Sequence, residues 1–322
     1  MNLNQESNPA AGRPARLAVG IIGAGRVGTA LGAALARAGH QVVAASAVSD
    51  ASLRRARANF PDAVITEPGQ VLRRADLAML TVPDDALPGL VAGLAATGAP
   101  LEGRMLVHAS GRYGLSVLEP AVRQGALPLA LHPVMTFAGR ADDVDRLHGT
   151  SFGVTAPEVL RPAAEALVIE MGGEPVFIAE EHRDLYHAAL AGAANHLVTL
   201  VAEAMDLLRA AGVAEPARLL APLLSASLDN ALRLGDAGLT GPVARGDAAT
   251  VAAHVAALET LAASSAADAA APASRAAVPA ASAAMVTAYV AMARLTADRA
   301  LAAGILKPAD AERLLDVLGG RP

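Results

Sequence analysis

The run Gly23-Ala-Gly25-Arg-Val-Gly28 constrains this chain more than any other feature. It directly follows the apolar stretch Arg16-Leu-Ala-Val-Gly-Ile-Ile22 and opens a segment of helical spacing, Val27 to Ala38, that closes at Gly39. Strand, tight turn and helix in immediate succession put the N–H groups of the turn at the positive end of a helix, where an anion is stabilised. The glycines then have separate duties. The first makes the turn, the second lets a pyrophosphate approach the backbone, and the third lets helix and strand pack closely. The pattern predicts a dinucleotide site built from Gly23, Ala24, Gly25, Arg26, Val27 and Gly28.

Further strands are expected at Gln41 to Ala45, Val64 to Thr66, Leu77 to Val82, Met105 to Ala109, Leu129 to His132, Ser151 to Thr155 and Pro175 to Ile178. Helical segments fit between them, so the sheet is read as Rossmann-type and mainly parallel, spanning residues 15–180 after a disordered leader at 1–14. Beyond Glu180 the spacing is helical alone, over 181–211, 216–234, 247–263 and 284–303. This predicts an α/β domain followed by an all-α domain, 181–322, for substrate binding and dimerisation. An Ala/Ser/Pro stretch at about 262–284, broken by Pro272 and Pro279, is read as a flexible insertion.

Composition removes several classes of function. At 322 residues with 53% hydrophobic residues, the chain can bury two cores. The absence of cysteine excludes disulfides and thiolate nucleophiles, and a formal charge of −5 leaves no footprint for nucleic acid. No histidine or carboxylate partners recur at close ligand spacing, so no metal is expected. No segment reads as membrane-spanning, because the apolar stretch Ala188 to Ala202 holds Asn195 and His196. The N-terminus lacks an apolar signal region, and a cytoplasmic protein with a small-molecule substrate is expected. Lys307 is the only lysine, so a proton donor must come from histidine, tyrosine or a carboxyl group.

An acidic ribose ligand about 20 residues past the glycine turn would signal NAD. Here the corresponding stretch carries Ser46 and Ser49, followed by Arg54, Arg55 and Arg57, groups suited to a 2′-phosphate. NADP(H) is therefore the expected cofactor, although the arginines could simply solvate a helix face. Val82-Pro83, at the carboxyl end of a strand, would pack on the nicotinamide ribose.

Two histidine motifs end neighbouring strands on that same edge: His108-Ala-Ser110-Gly111 and His132-Pro-Val-Met-Thr136. Ser110, His132 and Thr136 are candidate substrate contacts. On the helix that opens the second domain, His187, Ala191 and Asn195 fall within an arc of about 80°, with Asn195 about 12 Å beyond His187. Both polar residues are candidates for substrate or nicotinamide contact, the alternative being a structural hydrogen-bonding role. Tyr186 points about 100° away from His187 and is not expected to share its role. In Leu239-Thr240-Gly-Pro-Val-Ala-Arg245-Gly-Asp247, Asp247 is a plausible helix cap and Arg245 could hold a carboxylate. Asn230, Thr240 and His254 complete the candidate substrate set.

Together these motifs, with Ala-Asn-His-Leu-Val and Thr-Gly-Pro-Val-Ala-Arg-Gly-Asp, resemble a bacterial family of Rossmann-like proteins with a C-terminal helical domain of unknown function. The resemblance covers residues 16–303 apart from the alanine-rich stretch. That family is similar to ketopantoate reductases, pyrroline-5-carboxylate reductases and prephenate dehydrogenases. The resemblance to ketopantoate reductases lays His187, Ala191 and Asn195 on a catalytic lysine and two asparagines, so the lysine and the middle asparagine are absent here. It implies an NADPH-dependent reductase of a small 2-oxo acid, ketopantoate leading, with His187 as acid and Asn195 orienting substrate. Reduction of a cyclic imine and a non-catalytic NADP-binding sensor are the alternatives. A homodimer is expected from the apolar helices 181–211 and 284–303.

Overall fold

The structure, a computed structural model, describes residues 16–269 and 283–319. The expected leader and residues 270–282 of the expected insertion lie outside the described residues. By internal contacts the chain divides into two compact units, Met1–Ala193 and Ala194–Pro322.

In the first unit β1 (Ala18–Ile22), α1 (Arg26–Arg37), β2 (Gln41–Ser46), α2 (Asp50–Asn59) and β3 (Val64–Ile65) follow one another. Next come α3 (Pro68–Arg74), β4 (Leu77–Leu80), α4 (Leu87–Ala96), β5 (Met105–His108), α5 (Glu119–Val122) and β6 (Leu127–Pro133). The unit finishes with β7 (Ser151–Thr155), α6 (Arg161–Glu170), β8 (Glu174–Phe177) and α7 (Arg183–Ala191). Among the described residues the eight strands form one sheet in the order β3-β2-β1-β4-β5-β6-β7-β8. Pairing is parallel except between β6 and β7. Only short 3-10 turns join those two strands, so no crossover helix carries the chain back and β7 returns antiparallel.

Strand alternation decides which face each side chain serves. Ile21, Met79 and Val107 enter one core with Leu31, Leu35 and Val168; their chain neighbours Ile22, Leu80 and Leu106 enter the other. Helices on both faces bury the sheet, which is why its strands read as continuous apolar runs. The strand order turns about β1, so the carboxyl ends of β1 and β4 flank the crevice where such sheets take ligands.

The second unit begins inside a π turn, Gly192–His196, and continues as α8 (Leu197–Ala210), α9 (Pro216–Leu234), α10 (Ala248–Ala269), α11 (Ala283–Ala302) and α12 (Pro308–Gly319). Its core unites the last three helices through Val251, Val255, Val290, Ala297, Leu314 and Leu318. Helix α12 was not expected from the pattern. Its signals are Pro308 and Asp310 in the first turn and buried Ala311, Leu314 and Leu318 at helical spacing. Helix α10 runs on to Ala269, past the expected start of the insertion at 262, because proline first appears at Pro272.

The unit boundary falls beyond the expected 180, since α7 is tied to the sheet by Arg183, whose exposure is 2%. By contrast α8 buries no residue, and α9 buries only Pro216 and Leu220. Against the reading that no segment could span a membrane, the helical stretch Glu180–Ala210 is long and apolar enough to do so by length and composition. Leu197, Val198 and Leu200 on α8 are exposed, as are Leu223 and Leu232 on α9.

Candidate functional site

The glycine turn is held from both neighbouring strands. Gly23 takes φ +94°, a conformation that disfavours any side chain. Its N–H donates to Ser46 O at 3.2 Å and Ser46 Oγ at 3.3 Å, and the Ala24 N–H donates to Ser46 O at 2.8 Å. From the other side the Thr81 hydroxyl donates to Gly23 O at 2.8 Å. A Cβ on Gly28 would lie 2.6 Å from Gly23 O, so the third glycine is needed for packing. Gly25 differs. A Cβ there would meet nothing nearer than Gly23 O at 3.9 Å, and Gly25 is the N-cap of α1 with no side chain bonded across the helix end. Open space before exposed helix N–H groups fits a pyrophosphate. Arg26 lies exposed at the same helix end, its aliphatic stem against Gly139. Val82 packs on Gly23, which puts Val82-Pro83 beside the turn.

At the end of β2 the hydroxyls have local duties. Ser46 accepts the Gly23 N–H, while Ser49 caps α2 by accepting the Ser52 N–H at 3.2 Å and donating to Ser52 Oγ at 3.0 Å. Arg54 is exposed, Arg55 has a buried Nε without a hydrogen-bond partner, and among the described residues no ion pair engages Arg54, Arg55 or Arg57. The arginines, rather than the serines, are thus the groups at this strand end with unspent hydrogen-bonding capacity.

His108, fully buried, donates from Nε2 to Gly114 O at 2.8 Å and accepts the Ser110 N–H at Nδ1. Burial pushes its pKa down to about 4, with the bond donated to the Gly114 carbonyl opposing. Ser110 Oγ accepts the Tyr113 N–H at 3.1 Å. Both side chains therefore shape the turn after β5. That turn delivers Gly111 between two further rings. A Cβ on Gly111 would stand 2.7 Å from His187 Cδ2 and 2.9 Å from His132 Nε2. The rings of His132 and His187 are perpendicular, with centroids 6.3 Å apart. His132 Nδ1 is 2.8 Å from Tyr186 Oη. Burial, then the charge of Arg183, then His187 push the His132 pKa down to about 4, so the ring is neutral near neutrality.

Arg183 anchors this group. Its Nε donates to Thr155 Oγ1 at 2.8 Å and its Nη2 to Gly153 O at 3.1 Å and Ala130 O at 3.3 Å, across β6 and β7. Its guanidinium stands 5.7 Å from the centre of the Tyr186 ring. Glu180 fastens the approach to α7 by accepting the Leu115 N–H at 2.6 Å and the Ser116 N–H at 3.0 Å. Arg183, Tyr186 and His187 occupy positions i, i+3 and i+4, which share one helix face. Setting Tyr186 aside for its 100° offset from His187 was too narrow, because a buried helix face is at least that wide. The same i, i+3, i+4 spacing could have found both Tyr186 and Arg183.

The structure thus brings Ser110, His132 and His187 together, within the first unit. Thr136 lies apart on the exposed loop after β6. Asn195 and four other candidates belong to the second unit. Asn195 is exposed in the π turn, which breaks the regular spacing on which its alignment with His187 relied. Asn230, Thr240 and Arg245 are exposed. His254 pairs through Nδ1 with Tyr289 Oη at 2.9 Å. Asp247 accepts the Thr250 N–H at 3.1 Å and caps α10; bonds from Thr250 first, then the charges of Arg245 and His254, hold its carboxyl below the usual range.

A doubly covered sheet with an open glycine turn at its crevice defines the Rossmann class, the fold of NAD(P)-dependent oxidoreductases. Residues 3–133 match the family model of a Rossmann-like domain and residues 150–273 match Domain of unknown function DUF2520; the chain belongs to the family that joins the two. It is also related to the NAD(P)+ glycerol-3-phosphate dehydrogenase of Thermus thermophilus, 30% identical over 236 residues, 68% of each chain. Among solved structures, a Bacteroides fragilis protein provisionally described as an NADP oxidoreductase superposes with TM-score 0.66 at 21% identity, covering 88% of this chain and 98% of that one. An imine reductase from Pseudomonas sp. superposes with TM-score 0.59 at 20% identity, covering 94% of this chain and all of that one, 100%. These two likenesses establish the shared fold.

The neutral rings make stability depend on pH. Burial lowers the folded pKa of His108 and His132 to about 4, against an ordinary histidine value of 6.5, so as pH falls the unfolded chain binds protons first. Their contribution is complete above 6.5 and is lost progressively toward about 4, at most roughly 3 kcal/mol for each ring. Urea midpoints should fall from about pH 7.5 to about pH 5, a range above most carboxylate titration. A flat profile over that range would contradict the burial assigned to the two rings.

Proposed function

We propose that this chain is an NADPH-dependent reductase of a small C=O or C=N substrate, with a 2-oxo acid such as ketopantoate as first candidate. The observation that carries the reading is the seating of His132 and His187 around Gly111, at the same sheet edge as the open glycine turn. Gly25 and the N-terminus of α1 would hold the pyrophosphate, Val82-Pro83 the nicotinamide ribose, and Arg54 and Arg55 the 2′-phosphate. NADPH, when bound, supplies the hydride. His187 then gives the proton that the reduced oxygen requires, since α7 carries no lysine. A proton donor so positioned accelerates such a step by about 100- to 10,000-fold.

A cyclic imine is the second reading. The absence of lysine from α7 favours it, since an imine can arrive already protonated and needs less acid assistance. We further propose that a second copy of the chain covers the exposed apolar side chains of α8 and α9, because their exposure to water is unfavourable.

NADPH oxidation measured over 2-oxo acids and cyclic imines tests the reaction class. His187→Ala should retain NADPH binding and lower turnover of the best 2-oxo acid by about 100-fold or more. An undiminished rate would move the assignment to imine reduction, and binding without turnover of any substrate would make the protein an NADP-binding sensor. Titration should show NADPH preferred over NADH, and an Arg54→Ala/Arg55→Ala variant should lose about 10- to 100-fold in NADPH affinity. Equal affinity of the variant and the parent would remove these arginines from the site. Light scattering at micromolar concentration should give twice the chain mass of 32.3 kDa; a monomeric mass would reject the dimer.

A further inference from the structure

The hydrogen bond between Tyr186 Oη and His132 Nδ1, 2.8 Å long, has no task in the reading above. It is nevertheless a built feature. Gly153, paired with His132 across β6 and β7, leaves the space that the phenol occupies, and any Cβ there would overlap Tyr186 Oη. The two rings meet edge to face at 89°. Arg183, one turn earlier on α7, fixes the helix against the same two strands.

The direction of the bond follows from the chemistry of its two partners. A neutral imidazole nitrogen is a stronger acceptor than a phenol oxygen, and a phenol is the more acidic donor, so the Tyr186 O–H is directed to His132 Nδ1. A neutral imidazole that accepts at Nδ1 carries its proton on Nε2. Nε2 is the atom that lies toward Gly111, on the side of the His187 ring. The surroundings also keep the ring uncharged. Burial, Arg183, His187 and His108 all disfavour the imidazolium, and Asp84 alone favours it.

We propose that Tyr186 is a positioning residue that fixes His132 as the neutral Nε2–H tautomer, and that this N–H is the hydrogen-bond donor to the reducible C=O or C=N group. The donor role rests on the reductase reading; the tautomer does not. The two histidines then divide the work. His132 polarises the double bond and keeps its proton throughout. A bound reduced nicotinamide would supply the hydride to the carbon, and the electron pair of the C=O bond would then rest on oxygen. That oxygen takes its proton from His187, which recovers one from solvent. A neutral donor suits the first task because it stabilises growing negative charge without surrendering its proton early.

Long-range 15N–1H correlation of the labelled full chain at about neutral pH reads the tautomer directly, with His132→Gln assigning the ring signals. The expected wild-type spectrum shows His132 neutral and protonated at Nε2. In Tyr186→Phe the preference should be lost, with NADPH affinity and melting temperature retained. Turnover of that variant should fall by about 10- to 100-fold in kcat with KM little changed, a split that a structural role alone would not produce. A wild-type imidazolium, a wild-type Nδ1–H tautomer, or an unaltered tautomer in Tyr186→Phe would each overturn the proposal. Should the variant fail to fold, the wild-type spectrum decides by itself. An Nε2–H tautomer in a wild-type protein that turns over no substrate would overturn the donor role and the reductase reading, while upholding Tyr186 as the residue that sets the tautomer.

Discussion

The buried guanidinium of Arg183 is the contact around which the candidate site is arranged. Taking an arginine out of water is costly unless its N–H groups are bonded; here Thr155 Oγ1 and the carbonyl oxygens of Ala130 and Gly153 take Nε and Nη2, while Nη1 is buried without a hydrogen-bond partner. Those acceptors exist because β6 and β7 run antiparallel at this end of an otherwise parallel sheet. The arginine therefore clamps α7 at one height against the strands. Given that height, helix geometry carries Tyr186 to His132 and His187 to Gly111. The same positive charge, with burial, keeps His132 neutral. Anchor and electrostatic environment are one group.

Glycine does different physical work in the two halves of this edge. At the turn after β1, Gly23 supplies a left-handed backbone, Gly28 a close approach, and Gly25 an empty volume in front of helix N–H groups. At the histidine cluster, Gly111 and Gly153 supply only the absence of a Cβ, the first between two imidazoles and the second beneath a phenol. A chain with 2% aromatic residues has few rings to place, and these glycines let three of its polar rings converge. The second unit follows another logic. Its core is made by α10, α11 and α12, whereas α8 and α9 present apolar side chains that this core does not use.

Much of the first unit was legible because local patterns decide it. Alternation of short apolar runs with helical spacing predicted a mainly parallel sheet, and the glycine turn marked its crevice, since each glycine answers a requirement set within a few residues. The switch to helices after 180 was equally local. Helix α12 was missed although its proline, aspartate and apolar spacing were present, and the expected boundary at 180 overlooked the hold of Arg183 on the strands. Ser46 and Ser49 look like ligand hydroxyls in sequence, yet they serve a turn and a helix cap, because the nearest unpaired N–H claims a hydroxyl first.

By itself the sequence determined the fold class, the position of the glycine cradle, and the supply of chemistry: no thiol, one lysine, and histidines at strand ends. Each of these is a property of residue identity or short-range spacing. Only the tertiary structure decided which polar residues meet. His132 and Tyr186 are separated by 54 residues, and His108 differs from His132 only in what surrounds it once folded. Hydrogen-bond direction, burial and the charge of a neighbour depend on contacts between distant segments, and these arise when α7 docks across β6 and β7.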